Sequence, residues 1–107
     1  MSRKTIYAID FDGTIVSNEF PFIGDINKEV QDLIYAIQER GDEWILYTMR
    51  EDEVLDEALE YCKEHGLFPN AVNDNTESMK RLFRNNPRKV YADYYIDDHN
   101  AGGLRLP

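Results

Sequence analysis

The stretch TIYAIDFDGT, residues 5–14, decides the fold. Residues 5–9 are apolar or good β-formers, and Asp10 ends the run abruptly. A short, continuous apolar run is typical of a strand that is covered on both faces, as in a parallel sheet. We therefore predict a first strand over residues 5–9 that delivers Asp10 and Asp12 at its carboxyl end. Gly13 then permits a sharp turn.

The rest of the chain alternates between strand-like and helix-like segments. Residues 43–48 and 92–96 repeat the strand pattern, and residues 70–73 are a weaker candidate. Apolar residues recur at helical spacing in three further segments: Val30, Leu33, Ile34 and Ile37; Leu55, Ala58, Leu59 and Cys62; Met79, Leu82 and Phe83. This alternation predicts parallel strands joined by right-handed crossovers. We expect a three-layer, Rossmann-like α/β domain with a short, mostly parallel sheet of about four strands and about three helices.

Two local signals refine this prediction. Gly41 follows the first helical segment as a carboxyl-terminal cap. The aromatic, proline-bearing residues 20–22 fit neither pattern, and we interpret them as part of a loop or small hairpin over the first strand. Phe20 and Phe22 are then the aromatic side chains expected to approach a substrate, whereas the tyrosines and Trp44 are expected mainly in the core.

Length and charge restrict the class of protein. A chain of 107 residues predicts one domain, residues 1–107. Its 12 Lys and Arg against 21 Asp and Glu give a net charge of −9, which argues against a surface that wraps nucleic acid or lies on anionic lipid. No apolar run approaches the roughly 20 residues of a membrane span, and no secretory signal is evident. A single cysteine, Cys62, fits a cytoplasmic protein.

Polar residues follow three of the predicted strands. They are Asp10 and Asp12 after the first, Thr48 at the end of the second, and Asp97 and Asp98 after the last. Because ligands of such domains bind beyond the carboxyl ends of the strands, we expect these side chains to share one site. Four converging carboxylates repel one another unless a cation lies among them. Oxygen ligands favour a hard ion, Mg²⁺ before Ca²⁺ or Mn²⁺.

Three motifs resemble those of the haloacid dehalogenase-like (HAD) phosphatase superfamily. Residues 10–15 (DFDGTI) resemble its first motif, residues 46–48 (LYT) its second, and residues 96–98 (IDD) its fourth. The resemblance implies that Asp10 is the nucleophile that forms an aspartyl-phosphate and that Asp12 is the general acid. It also implies that Thr48 donates a hydrogen bond to a phosphoryl oxygen. Mg²⁺ would be held by the Asp10 side chain, the Asp12 backbone carbonyl and the acidic pair Asp97 and Asp98.

The lysine of the third motif has several candidates. Lys63, Lys80 and Lys89 lie between the second and fourth motifs, and we assign Lys89, which precedes the last strand, with Lys80 as the second choice. Gly13 and Arg50 are candidate substrate-binding residues. For Arg50 an ordinary surface arginine is an equal alternative.

The resemblance implies a Mg²⁺-dependent phosphomonoester hydrolase of the capless subgroup, because the intervals between the strands leave no room for a cap domain. Such an open site suits a bulky substrate or a lid from a second copy of the chain. A sugar phosphate or a nucleotide is the expected substrate, and a phosphorylated polynucleotide end is an alternative. Two other classes stay open, a phospho-ligand-binding relative without catalysis and a receiver-like phospho-acceptor module.

Overall fold

The predicted alternation of strands and helices is present in the computed structural model, which describes residues 4–83 and 90–97. The elements are β1 (Ile6–Ile9), α1 (Lys28–Arg40), β2 (Glu43–Leu46), α2 (Asp52–Glu64), β3 (Ala71–Val72), α3 (Glu77–Phe83) and β4 (Tyr94–Ile96). The four strands form one parallel sheet in the order β3-β2-β1-β4. The predicted α/β fold class is confirmed, and no additional domain covers the sheet within the described ranges.

The strand order determines which helix covers which face. From β1 to β3 the sheet grows in one direction, so right-handed crossovers place α1 and α2 on the same face. The chain then returns past β2 and β1 to add β4, which places α3 on the opposite face. We call these the α1/α2 face and the α3 face.

Alternation along the strands fills two separate cores. The larger core lies on the α1/α2 face and contains Tyr7, Ile9, Trp44, Leu46 and Ile96 from the sheet, with Val30, Ile34, Ile37, Ala58 and Cys62 from the helices. The smaller core lies on the α3 face and contains Ile6, Ala8, Ile45, Met79 and Ala92. Cys62, on the apolar stripe of the second helical segment, is fully buried in the larger core.

Helix α1 is capped at both of its ends. The Asn27 side chain accepts hydrogen bonds from the backbone N–H groups of Glu29 (3.0 Å) and Val30 (3.4 Å), which satisfies two otherwise unpaired donors. Gly41 adopts the left-handed conformation at φ 80° and caps the other end, as predicted.

The segment between β1 and α1 forms a small hairpin, which is one of the two alternatives that the sequence predicted for it. Val16 and Ile26 form an antiparallel bridge, and the Ser17 N–H donates to the Asp25 carbonyl at 2.8 Å. Gly24 lies against Ser17 so closely that the position has no room for a side chain. A second bridge, between Asp12 and Val16, ties the hairpin to the turn that follows β1.

Across the described part of the chain, every helix is too short or too polar to cross a membrane.

Candidate active site

A cavity of about 790 Å³ opens at the carboxyl ends of the strands, on the α3 face. Its lining includes Asp10, Thr48, Asn73 and Asp97 at the strand ends, together with Ala8, Tyr47, Met49, Val90, Tyr95 and Ile96. This volume is within the range of small-molecule sites, about 300–1,000 Å³. The structure therefore brings Asp10, Thr48 and Asp97 together, as the sequence predicted.

Asp10 and Asp97 are neighbours across two paired strands. Each directly follows a residue of the registered pair Ile9 and Ile96, and the Asp10 N–H donates to the Ile96 carbonyl at 3.1 Å. Adjacent strands lie about 4.8 Å apart, so the two aspartates are close and point to the same face. An Asp10 carboxylate oxygen also accepts a hydrogen bond from the Phe11 N–H at 2.8 Å, which orients it.

A tight turn follows Asp10. Gly13 has a φ of 86°, a conformation that strains any residue with a side chain, and its N–H donates to the Val16 carbonyl at 2.8 Å. Thr14 in this turn is buried, and its hydroxyl makes no hydrogen bond with the described residues. Gly13 performs its predicted role in the turn, but it is not part of the cavity lining that the described residues form.

Asp12 forms a two-point ion pair with Arg50. Arg50 Nε donates to one Asp12 carboxylate oxygen at 2.7 Å, and Nη2 donates to the other at 2.8 Å. The Arg50 side chain is fully buried and that of Asp12 is 17% exposed, so this pair is far less screened by water than a surface pair. The surface-arginine alternative is therefore wrong.

Arg50 connects the hairpin to the start of α2. Its Nη2 also donates to the Phe22 carbonyl and its Nη1 to the Val54 carbonyl, each at 3.0 Å. The guanidinium lies 5.1 Å from the ring centres of both Phe11 and Phe20, which adds cation–π attraction. These contacts hold Arg50 beside Asp12 rather than in the cavity lining that the described residues form.

Thr48 is positioned by its neighbours on both sides. Its hydroxyl oxygen accepts a hydrogen bond from the Arg50 N–H at 3.1 Å, which leaves the hydroxyl proton as a donor. The Thr48 N–H donates to the Asn73 side-chain oxygen at 2.8 Å, and the Asn73 amide nitrogen donates to the Thr48 carbonyl at 2.9 Å. Asn73 thus fixes the backbone of Thr48.

Sequence reasoning missed Asn73 as part of the site. Its backbone has a φ of 50°, a left-handed conformation that asparagine tolerates better than most residues. The available signal was its place directly after the short strand β3, at the same edge as the other strand ends.

Of the two preferred candidates for the third-motif lysine, Lys80 lies within the described residues and Lys89 does not. Lys89 and Asp98 lie outside the described residues. Lys80 Nζ donates to an Asp74 carboxylate oxygen at 2.9 Å and lies 3.6 Å from Glu77. The hydrogen bond to Asp74 is the main reason why the pKa of Lys80 is raised. Lys80 is therefore engaged with Asp74 and Glu77, and it is not one of the described residues that line the cavity.

The aromatic side chains at the cavity are not those that the sequence suggested. Tyr47 and Tyr95 line it, are 49% and 46% exposed, and meet edge to face with ring centres 6.3 Å apart. Phe20 instead stacks on Arg50, and Phe22 contributes its carbonyl to the same guanidinium. The expectation that Phe20 and Phe22 approach the substrate while the tyrosines fill the core is thus wrong for Tyr47 and Tyr95.

The donor set suits a hard cation but is not complete within the described residues. In residues 4–83 and 90–97, no group of three or more acidic, histidine or cysteine side chains is close enough to hold a metal ion. Asp10 and Asp97 supply two carboxylates at one cavity, and the Asp12 carbonyl belongs to the adjoining turn. All of these donors are oxygen atoms, which is the ligand type that Mg²⁺ prefers.

The fold and the site define a parallel α/β domain with two neighbouring aspartates at its strand ends. A solved structure of a conserved protein from Bacteroides thetaiotaomicron is 36% identical to this chain, with a TM-score of 0.81. The match covers 97% of this chain and 84% of that chain. The chain belongs to the same family as this conserved protein. No protein-family model and no curated protein matches it.

Proposed function

We propose that this protein is a Mg²⁺-dependent phosphomonoester hydrolase, of the type that the HAD-like motifs imply, and that Asp10 is its nucleophile. The supporting observation is the placement of Asp10, Thr48 and Asp97 around one cavity at the strand ends. A nucleophilic carboxylate, a hydroxyl donor and a second carboxylate are the groups that phosphoryl transfer to aspartate needs.

The first step transfers the phosphoryl group to the protein. An Asp10 carboxylate oxygen attacks phosphorus, and the bond between phosphorus and the ester oxygen breaks. The Thr48 hydroxyl donates a hydrogen bond to a phosphoryl oxygen while its own oxygen stays held by the Arg50 N–H. Mg²⁺, held by Asp10, Asp97, Asp98 and the Asp12 carbonyl, would neutralise charge on the phosphoryl group.

Asp12 is the proton donor in the first step and the proton acceptor in the second. As the general acid it protonates the departing ester oxygen, and as the carboxylate it then takes a proton from the water that hydrolyses the aspartyl-phosphate. Both of its oxygens accept hydrogen bonds from Arg50, so Asp12 must release at least one of them and take up a proton from solvent before it can protonate the ester oxygen. Lys89, our choice for the third-motif lysine, supplies positive charge in this proposal, and Lys80 is the alternative.

The proposal extends to the substrate and the setting. A sugar phosphate or a nucleotide fits a cavity of about 790 Å³, and a phosphorylated polynucleotide end is the alternative. We place the protein in the cytoplasm, which its lone, buried Cys62 supports. The formation of a homo-oligomer that shields the site belongs to the same proposal.

Phosphate release from p-nitrophenyl phosphate tests the proposed function. We expect Mg²⁺-dependent turnover that EDTA abolishes and that Asp10→Asn lowers by at least about a thousandfold, because the nucleophile is lost. Asp32→Asn, at an exposed position on α1, is the matched control and should retain turnover. Full turnover by Asp10→Asn would show that Asp10 is not the nucleophile. Labelling by acetyl phosphate without turnover would indicate a phospho-acceptor module instead.

A further inference from the structure

The cavity lining combines polar side chains at the strand ends with aromatic and apolar side chains. Asp10, Thr48, Asn73 and Asp97 lie at the strand ends, where the proposed function places the phosphoryl group. The other lining residues are Ala8, Tyr47, Met49, Val90, Tyr95 and Ile96. None of the described lining residues is basic, so these residues offer no charged partner for a second phosphate.

The aromatic pair Tyr47–Tyr95 lies beside Asp10. Tyr47 follows Leu46, which pairs with Ile9, so Tyr47 is level with Asp10 on the neighbouring strand. Tyr95 pairs with Ala8 on the other side of β1.

The two rings lean over the strand between them. Strands β2 and β4 are two spacings apart, about 10 Å, yet the ring centres are only 6.3 Å apart. The rings meet above β1, where the small side chain of Ala8 leaves room. The Tyr95 hydroxyl donates to the Val90 carbonyl at 2.8 Å, which fixes one ring of the pair.

We infer that the aromatic pair Tyr47–Tyr95 binds a planar ring in the leaving group of the substrate, as in a nucleoside monophosphate. This inference rests on the proposed function for the position of the phosphoryl group. Half-exposed aromatic rings offer stacking surface to a nucleobase, and such stacking is sequence-tolerant and substantial.

Equilibrium binding tests the inference separately from catalysis. Adenosine 5′-monophosphate and ribose 5-phosphate share the phosphate and the sugar and differ in the planar ring. We would titrate both by calorimetry, with Mg²⁺, into the full chain carrying Asp10→Asn, which does not consume them in the proposed mechanism. Adenosine 5′-monophosphate is expected to bind at least about fivefold more tightly, the lower end of what one stacked base contributes.

Variants of Tyr47 in the same background identify the ring that carries the preference. Tyr47→Leu should remove most of it, whereas Tyr47→Phe should retain it because the ring remains. Tyr94→Leu is the matched control, because Tyr94 is 47% exposed but stacks on Tyr7, on the α1/α2 face. Circular dichroism confirms that each variant is folded.

The outcomes separate the two proposals. Equal affinity for the two ligands, no measurable binding of either, or equal weakening of both by Tyr47→Leu would overturn the inference. A ring preference that depends on Tyr47 would support it even if the wild-type protein released no phosphate, a result that would contradict the proposed function alone. Turnover without ring preference would leave the phosphatase and remove the aromatic subsite.

Discussion

Replacing Arg50 with methionine should lower the free energy of unfolding by about 3 kcal/mol. The Arg50 side chain makes four hydrogen bonds, two to Asp12 and one each to the Phe22 and Val54 carbonyls. Methionine keeps most of the apolar stem and makes none of them. Asp12 would then be left without its charged partner, and the Phe22 and Val54 carbonyls would each lose a donor.

The magnitude follows from how far water can replace the lost partner. Removing one member of a buried ion pair costs roughly 3–5 kcal/mol because the other charge stays desolvated. The side chain of Asp12 keeps 17% of its exposure, so partial rehydration places the cost at the low end of this range. For a domain of this size the loss lowers the melting temperature by roughly 10–25 °C.

Urea unfolding of a double-mutant cycle measures the pair itself. The cycle comprises Arg50→Met, Asp12→Asn and the double variant, followed by the fluorescence of Trp44, which is fully buried in the folded state. Asp12→Asn alone leaves the buried Arg50 guanidinium without its charged partner. The free energy of unfolding of the double variant should therefore be at least about 1.5 kcal/mol higher than the sum of the two single losses predicts.

A matched exposed pair provides the control. Arg40 Nε donates to an Asp42 carboxylate oxygen at 3.2 Å, but the Arg40 side chain is 50% exposed. Arg40→Met should therefore destabilise the protein far less than Arg50→Met, because water screens exposed pairs. Losses that add within about 0.5 kcal/mol in the Arg50 cycle, or equal losses at the two arginines, would refute the reasoning.

Three further outcomes are expected. Burial raises the pKa of the Cys62 thiol from its ordinary value of 9.0 to about 12. Iodoacetamide should therefore label Cys62 at pH 8 only after unfolding in urea. The contribution of the buried thiol to the free energy of unfolding is present below about pH 9 and declines as the pH rises towards 12. Thr14→Val removes a buried hydroxyl that has no partner among the described residues, so the free energy of unfolding should stay unchanged or rise by up to about 1 kcal/mol, and a clear loss would reveal a hydrogen bond. Gly41→Ala should cost about 1 kcal/mol from backbone strain alone, since φ is 80° and no described residue beyond the two chain neighbours lies within 4 Å of the added methyl group; an unchanged urea midpoint would contradict this.

The sequence was sufficient to predict the architecture because the relevant signals are local. The apolar run at residues 5–9, the helical spacing before Gly41 and the alternation of segments each reflect backbone geometry and burial. The meeting of Asp10 with Asp97 was also predictable, since parallel strands end at a common edge. These inferences need no knowledge of how side chains pack across the sheet.

Other features depend on packing between distant segments. The burial of Arg50 results from the hairpin folding over it, and a single arginine after Thr48 has no periodicity that reveals this. Strand alternation assigns Tyr47 and Tyr95 to the α3 face, but it does not show that their rings stay half exposed at a cavity. The two hydrogen bonds between the Asn73 side chain and the Thr48 backbone depend on the left-handed backbone conformation of Asn73.

The position of β1 between β2 and β4 also governs when the site can assemble. The Ile6 N–H donates to an Asp93 carboxylate oxygen at 2.8 Å across 87 residues of chain. During synthesis, the segment from β1 to α2 can therefore associate before β4 has been synthesised. One edge of β1 is unpaired at that stage. Pairing over such a distance is slow, and an open edge invites association with other chains. Asp10 is thus synthesised early, but it gains Asp97 beside it only when β4 pairs with β1.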